Sequence, residues 1–234
     1  MLVVLASRFD ISANELVENW TDNNARLMTP ADLSRPGWRD FSGGPPSGIR
    51  DVPGSAVIDG QTVGTDQLTG VLVRLLIVMP EELSHIVPED RDYVAAEMMA
   101  FLVSWLSRLS CPVLNRPTPL CLVGPAWRWE KWSAIATEIG MKVRHPQGRS
   151  LAMAGDNATQ PADTRQVIVV GDRCIGSRTP SEERSALKLA LASNVALLQL
   201  DFAGDELASV SVLPSLASPV VRAAVSSYFT RTSA

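Results

Sequence analysis

The side chains of this chain that could take part in covalent or metal chemistry are few and far apart. It has two histidines, His85 and His145, and three cysteines, Cys111, Cys121 and Cys174, with no Cys-x-x-Cys pair. A zinc site needs closely spaced sets of such ligands, so the sequence predicts no metal site of this kind. Neither histidine lies near a recognisable nucleophile elbow, and we assign no Ser-His-Asp or Cys-His catalytic group.

The composition is that of a globular protein and disfavours two classes of partner. Of the 234 residues, 46% are hydrophobic, and 21 Lys and Arg oppose 25 Asp and Glu without a basic block. Nucleic-acid binding needs clustered cations, so it is not expected. The longest apolar stretch, at 68–79, contains Arg74 and falls short of the ~20 residues that span a bilayer. We therefore expect a cytoplasmic protein with reduced thiols.

Hydrophobic periodicity predicts alternating strands and helices. Asp59-Gly60 is typical of a hairpin turn, Ser12 and Glu15 form a capping box, and Gly140 suits a helix C-cap. The predicted strands are at 2–7, 25–28, 56–58, 61–63, 71–77, 112–114, 166–170, 174–175, 195–202 and 208–213. The predicted helices are at 11–20, 88–111, 127–139, 181–192 and 219–229, with loops at 34–54 and 142–165. This order indicates an α/β fold in two unequal parts.

Several of these segments, in this order, resemble the ATP-grasp superfamily, and especially its branch that modifies peptides and amino acids. The segments are 71–74, the long helix with Glu97, 111–117, 131–140, 169–173 and 198–202. The resemblance implies a Rossmann-like pre-ATP-grasp domain at 1–141, a linker at 142–165 and a truncated ATP-grasp core of antiparallel strands and helices at 166–234. It also implies ligation, in which ATP and Mg²⁺ activate a carboxylate for attack by an amine.

The parts that this chemistry requires are incomplete. Segment 142–165 is too short for the central nucleotide-clamping subdomain that the resemblance implies, because four strands of about 5–6 residues would use all of it. At the family's magnesium positions on the last strand this chain has Ser211 and Leu213, neither of which supplies a carboxylate. Asp201 remains at the upstream acidic position, and a structural role at the end of a strand is the alternative.

The resemblance leaves six candidate remnants of a ligand or nucleotide site: Asn115, Arg116, Lys131, Asp172, Arg173 and Asp201. Lys131 matches the family's first nucleotide lysine, although a solvated helix lysine has the same pattern. Asn115 and Arg116 follow a strand, where α/β sheets place ligand groups, or they form a capped turn before a proline. Cys174 follows Arg173, which could lower the thiol pKa, but a buried structural thiol is favoured.

The three tryptophans at the start of the fourth predicted helix, Trp127, Trp129 and Trp132, suggest a protein interface. Positions two apart diverge by about 200° on a helix, so Trp127 and Trp129 cannot both face the core of a regular helix. One exposed tryptophan beside Arg128 would suit an interface hot spot. Packing against the 34–54 loop is the alternative.

The sequence thus predicts a non-catalytic ATP-grasp-like accessory protein that binds a peptide or protein in a peptide- or cofactor-maturation pathway. It needs no cofactor or metal, and self-association is expected if loss of a subdomain exposes apolar surface or a sheet edge. The first alternative is an ATP- and Mg²⁺-dependent carboxylate–amine ligase whose missing parts come from another chain. The second is a small-molecule enzyme with chemistry around Asn115, Arg116 and Asp172.

Overall fold

The computed structural model describes residues 1–20, 24–39, 54–144 and 164–232. The chain forms two compact units. The first contains Met1–Gly124 together with Leu216–Ala234, and the second contains Pro125–Ser215. The mixture of parallel and antiparallel sheets with helices confirms the predicted α/β class.

The first unit is built on a parallel sheet, which buried apolar strands of this kind favour. Its strands are β1 (Leu2–Leu5), β2 (Arg26–Met28), a separate hairpin of β3 (Ser55–Ile58) and β4 (Gln61–Gly64), then β5 (Gly70–Val73) and β6 (Val113–Leu114). The parallel order is β2-β1-β5-β6, in which Val4 pairs with Leu27 on one side and Leu72 on the other. The hairpin turns at Asp59 and Gly60, both at positive φ, as predicted.

The capping of the first helix of this unit differs from the prediction. The helices of the unit are α1 (Ile11–Asn19), α2 (Pro30–Leu33), α3 (Arg91–Arg108) and the C-terminal helix, α6 (Pro219–Thr232). The predicted capping box of Ser12 and Glu15 is wrong. The helix already begins at Ile11, and Asp10 is its N-cap, accepting a hydrogen bond from the Ala13 amide.

The C-terminal helix packs against the first unit through the ring of Phe229, which lies over Gly70 of β5. Phe229 on α6 is buried, and its ring lies so close to Gly70 that a Cβ there would be 2.2 Å from the ring. Glycine in a strand often marks such a close approach. This contact links two segments that are far apart in sequence.

The second unit is an antiparallel sheet covered by two helices. Its elements are α4 (Trp129–Glu138), β7 (Thr164–Val170), β8 (Arg173–Ile175), α5 (Pro180–Ala192), β9 (Leu197–Ala203) and β10 (Glu206–Ser211), with strand order β10-β9-β7-β8. Alternate residues of β9, Leu198, Leu200 and Phe202, face the helices in one core with Trp132 and Leu189. Full burial of each leucine stabilises the fold by roughly 1.5–3 kcal/mol.

The ends of the predicted linker are part of the second unit. Val143 bridges to Leu207 on β10 in parallel, and Thr164 already belongs to β7. The rest of the linker, 145–163, lies outside the described residues, as does 40–53 of the predicted loop. The two compact units also place 125–141 and 216–234 differently from the predicted ranges. The assignment of 1–141 and 166–234 as family domains stays a prediction.

None of the helices in the described ranges has the length and apolar character that crossing a bilayer requires.

Candidate functional site

Asp201, the predicted acidic remnant, is a buried carboxylate on the sheet face opposite to the helices. Its neighbours Leu200 and Phe202 point into the helix-covered core, so Asp201 points to the other face. One oxygen accepts a hydrogen bond from the Gln199 amide at 2.9 Å, and the other accepts from the Ser209 hydroxyl across the β9–β10 ladder. Both carboxylate oxygens are thus engaged by protein donors.

The two positions that should carry magnesium ligands are engaged locally. The Ser211 hydroxyl lies 3.1 Å from the amide and 3.2 Å from the carbonyl of Leu213, so this pair forms a turn after β10. Gln199 accepts from the Ser215 amide at 3.2 Å. The row of polar side chains on this face therefore holds β9, β10 and the segment after them together.

This donor set does not fit magnesium. The ion prefers several oxygen ligands that include carboxylates, and here one carboxylate stands among hydroxyls and an amide. Among the residues that the structure describes, no three His, Cys, Asp or Glu side chains lie close enough to hold a metal ion.

Lys131, the candidate nucleotide lysine, belongs to the helix layer of the second unit. It is exposed on α4, and its ammonium lies 4.7 Å from the centre of the Trp127 ring. Such a cation–π contact stabilises by about 0.5–1 kcal/mol at an exposed site. Because α4 packs on the face opposite to Asp201, the sheet lies between the helix layer and the carboxylate.

Asn115 and Arg116 have structural partners in the first unit. The Asn115 side chain is buried and donates to the Val123 carbonyl at 3.1 Å. The Arg116 guanidinium lies 3.4 Å from the carbonyls of Leu106 and Ser107, in the last turn of α3. A cation at a helix C-terminus is a stabilising arrangement, so these contacts favour the capped-turn interpretation.

Asp172 and Arg173 are exposed at the turn between β7 and β8. Gly171 adopts a positive φ there, as a tight turn requires. Cys174 follows, and burial raises its pKa despite a hydrogen bond from Ser177, so the structural-thiol interpretation is favoured. Asp172 and Arg173 belong to the second unit, whereas Asn115 and Arg116 belong to the first.

The expectation of an exposed tryptophan is wrong. Trp132 is buried, Trp127 and Trp129 are half-buried, and all three pack with the same core. The rings of Trp127 and Trp132 are 4.8 Å apart. The helix argument failed because α4 begins at Trp129 and Arg128 is its N-cap, so Trp127 precedes the helix. An interface at these residues and the exposed Arg128 stays a prediction.

A cavity in the second unit was not found from the sequence. Its volume is about 370 Å³, and it lies at the N-terminal end of α5. The lining residues that matter chemically are three cations, two acids and an aromatic side chain: Lys142, Arg165, Arg178, Glu182, Asp205 and Phe202. No spacing in the sequence brings these residues together, because they come from four separate segments.

The charges around this cavity are mostly paired. Arg165 donates to both oxygens of Glu182 and lies 5.0 Å from the centre of the Phe202 ring, and the Arg178 amide donates to Glu182 at 2.6 Å. Burial opposes ionisation of Glu182, but the hydrogen bonds and charges of the two arginines outweigh it and lower its pKa. The Nε–H of Arg165 is buried without a hydrogen-bond partner.

A second ion pair lies at the mouth of the cavity. Lys142 donates to Asp205, which raises the lysine pKa and lowers the aspartate pKa. Both side chains are well exposed, so the pair is screened by solvent. With one more cation than acid and the Phe202 ring in its lining, the cavity is suited to an acidic or apolar side chain.

Solved structures with a similar fold include a macrocyclase and ATP-grasp ligases bound to peptides. The macrocyclase MdnC bound with precursor peptide MdnA, from Microcystis aeruginosa MRC, matches with a TM-score of 0.63 at 12% identity, over 99% of this chain and 100% of that one. A RiPP-associated ATP-grasp ligase from Chryseobacterium gregarium, in complex with ADP and a leader and core peptide, matches with a TM-score of 0.61 at 10% identity, over 98% and 96%.

The ATP-grasp ligase PsnB complexed with a minimal precursor matches with a TM-score of 0.61 at 12% identity, over 100% of this chain and 99% of that one. No family model matches the sequence, and no curated protein does. At these identities the likeness establishes the fold. The chain has the fold of ATP-grasp ligases, and the resemblance predicted from the sequence is confirmed at that level.

Proposed function

We propose that this chain is a non-catalytic, ATP-grasp-like binding protein of a peptide-maturation pathway. The pathway is supported by the similar structures, which include a macrocyclase and ligases with precursor peptides bound. The loss of catalysis is supported by one observation above all. The Asp201 carboxylate accepts from Gln199 and Ser209, and no group of three His, Cys, Asp or Glu side chains in the described residues could hold a metal ion with it.

The position of Lys131, the candidate nucleotide-binding cation, also supports the proposed loss of catalysis. Ligation requires a cation on the nucleotide phosphates and a carboxylate-held magnesium bridging the same phosphates. In this chain Lys131 lies on a helix that packs against one sheet face, and Asp201 lies on the other. These two groups therefore do not form the two halves of one phosphate site within the second unit.

Binding of a peptide would require neither Lys131 nor Asp201. The cavity at the start of α5 offers the exposed Arg178 and the ring of Phe202. These groups could receive an acidic or apolar side chain of a bound peptide. Cation and aromatic side chains together are common in hot spots of peptide and protein interfaces.

Calorimetric titration with magnesium-ATP tests the loss of catalysis. We expect no saturable heat at sub-millimolar nucleotide, in the wild type or in Lys131→Ala. Lys188→Ala, which removes another exposed helix lysine, is the matched control. Saturable binding that Lys131→Ala abolishes and Lys188→Ala leaves intact would overturn the proposal.

The alternative is an ATP-dependent peptide ligase completed by another chain. It is favoured by the fact that several similar structures hold ADP or AMPPNP. Both proposals expect a stoichiometric partner, so the chain is purified with that partner from the native host. What the purified complex binds then separates the two proposals. If the complex binds magnesium-ATP and Lys131→Ala within it does not, the ligase is supported; if it binds a peptide and no nucleotide, the accessory role is supported.

A further inference from the structure

Glu82 is a buried carboxylate whose charge nothing in the described chain compensates. It ends the short turn Pro80–Glu82 after β5 and is 5% exposed. Its hydrogen bond from the Arg8 amide to Oε2 is long, at 3.4 Å, and no cation of the described chain forms an ion pair with it. Glutamate is almost never buried to this degree unless it is paired, because taking a charge out of water is costly.

The other two buried acids of the described chain are well satisfied by comparison. Asp32 accepts from the amides of Thr29 and Gly60, each at 2.9 Å and each on a different oxygen. Asp201 also has a donor on each oxygen. Glu82 has one weak donor, so its carboxylate keeps most of its capacity to accept hydrogen bonds.

One oxygen of Glu82 is accessible from outside. In the described chain, the side-chain nitrogen and oxygen atoms that are fully enclosed and have no partner are Trp105 Nε1 and Arg165 Nε. Oε1 of Glu82 has no partner either, so it must touch solvent. The carboxylate is therefore buried along its stem and open at one oxygen, which leaves that oxygen free to bind a ligand.

The position of Glu82 in the sheet is one where α/β folds bind ligands. The chain passes from β1 to β2 on one side and then to β5 on the other, so the strand order reverses between β1 and β5. Ligands of open α/β sheets bind in the crevice outside the carboxyl ends of the strands at such a point. The Arg8 amide lies after β1 and Glu82 lies after β5, so the two form opposite walls of this crevice.

The two walls of the crevice are held together by Arg74, at the end of β5. Its amide donates to the Leu5 carbonyl at 2.7 Å, and its guanidinium donates to Asp10 at 2.9 Å. Leu5 ends β1 and Asp10 lies in the loop that follows it. The crevice is thus fixed before a ligand arrives, which lowers the entropic cost of binding.

We propose that Glu82 is a subsite for an organic cation, an ammonium or guanidinium group, in the crevice between the loops after β1 and β5. A hydrogen bond between such a group and a carboxylate is charge-assisted, which makes it roughly twice as strong as a neutral one. A metal ion is a poorer match, since no three His, Cys, Asp or Glu side chains of the described residues lie close enough to hold one. The bound cation supplies the charge that the fold itself leaves out.

This chemistry has two sources, the side chain of a lysine or arginine in a peptide and a free amine. The inference does not depend on the proposed function, because either source fits the subsite whether or not the chain belongs to a peptide pathway. Retention of an unpaired buried charge is itself a sign of function, since natural proteins tolerate such destabilising groups mainly at functional sites.

Urea denaturation separates a ligand subsite from a structural group. Glu82→Gln keeps an oxygen acceptor for the Arg8 amide and removes the charge. We expect its midpoint without ligand to equal or exceed that of the wild type, because an unpaired buried charge is lost. Asp32→Asn, the control, should lower the midpoint, because one of two backbone donors then faces an amide N–H. A midpoint that falls as much in Glu82→Gln as in Asp32→Asn, or a Glu82→Gln variant that does not fold, would overturn the proposal.

Calorimetric titration of the full chain measures the cation subsite directly. We expect saturable binding of N-acetyl-lysinamide at millimolar concentration and none of N-acetyl-norleucinamide, which has a similar chain without the charge. Glu82→Gln should weaken the binding at least about tenfold, because a charge-assisted hydrogen bond becomes a neutral one. Glu81→Gln, which alters the exposed neighbouring carboxylate, should leave it unchanged. Absence of binding, equal binding of both compounds, or binding that survives Glu82→Gln would each sink the inference.

Two further ligands identify the source of the cation. One is a pentapeptide with a lysine between two pairs of glycines, blocked at both ends, and the other is spermidine. Tighter binding of the pentapeptide assigns the subsite to a basic peptide side chain, and tighter binding of spermidine assigns it to a free amine. Either preference supports the subsite only if Glu82→Gln abolishes it, and a preference that persists in Glu82→Gln contradicts the assignment.

Discussion

Gln199 donates from Nε2 to Oδ1 of Asp201 across 2.9 Å, and both side chains are buried on the same face of β9. The Gln199 amide is itself oriented by the Ser215 backbone, and Ser209 binds the other carboxylate oxygen. A buried carboxylate with such donors stabilises a fold, and removal of one member leaves the others unpaired. The residue that the family pattern assigns to metal binding therefore acts here as a structural group.

Replacing this carboxylate should lower stability without an effect on metal binding. We expect Asp201→Ala to reduce the free energy of unfolding by about 1–3 kcal/mol, because it leaves the buried Gln199 amide without this acceptor. Urea denaturation followed by circular dichroism measures the change as a lower midpoint at an unchanged slope. Glu138→Ala, which removes an exposed carboxylate of α4, should change it by less than about 0.5 kcal/mol. Equal effects of the two substitutions would contradict the structural role of Asp201.

The Arg165–Glu182 ion pair should make stability depend on pH in the acid range. The pKa of Glu182 is held below its ordinary value of 4.5 in the folded state, mainly by Arg165 once the opposing effect of burial is overcome. A depressed folded-state pKa gives a stabilising contribution that is present above pH 4.5 and is lost as the pH falls toward the folded-state pKa. The part of this loss that is due to Glu182 should be absent in Glu182→Gln.

Urea midpoints measured from pH 7 to pH 3 check this prediction. At pH 7 we expect Glu182→Gln to cost about 1–2 kcal/mol, because a charge-assisted pair is replaced by a neutral one. The difference between wild type and variant should then narrow as the pH falls below 4.5. Glu183→Gln, the exposed neighbour, is the control. A constant difference over the whole range would show that the pair does not titrate as expected.

The contact between Gly70 and Phe229 should be visible as a coupled pair of substitutions. Gly70→Ala places a methyl group 2.2 Å from the buried ring, and we expect it to destabilise the protein by about 2 kcal/mol or more. Phe229→Leu alone should also destabilise it by leaving a cavity. The double variant should be more stable than the sum of the two effects predicts, by at least about 0.5 kcal/mol. Simple additivity would contradict the contact.

The three thiols should be slow to react. Burial raises the pKa of Cys111, Cys121 and Cys174 above the ordinary value of 9.0. Only the thiolate is nucleophilic, so alkylation of the folded protein by iodoacetamide at pH 7 should be far slower than that of the unfolded chain in urea. Mass spectrometry of each peptide measures the three rates separately. A thiol that reacts as fast in the folded protein would contradict its burial.

Local signals predicted most elements well, and the errors have identifiable causes. The hairpin at Asp59-Gly60 and the end of α4 before Gly140 were predicted, because turns and caps are determined by a few neighbouring residues. The start of α4 was misplaced because its N-cap is Arg128, a residue type that carries no capping signal. The capping box at Ser12 was misread because Asp10, two residues earlier, caps the helix.

The sequence by itself determined which chemical groups this protein has: Asp201 on one strand, and Ser211 and Leu213 where the family resemblance predicts magnesium ligands. Only the tertiary structure decided that Asp201 and Lys131 lie on opposite sides of a sheet, and that α6 belongs to the first unit and packs against Gly70. Residue spacing encodes the periodicity of a single strand or helix. The face on which two distant elements meet depends on packing between them, which local spacing does not specify.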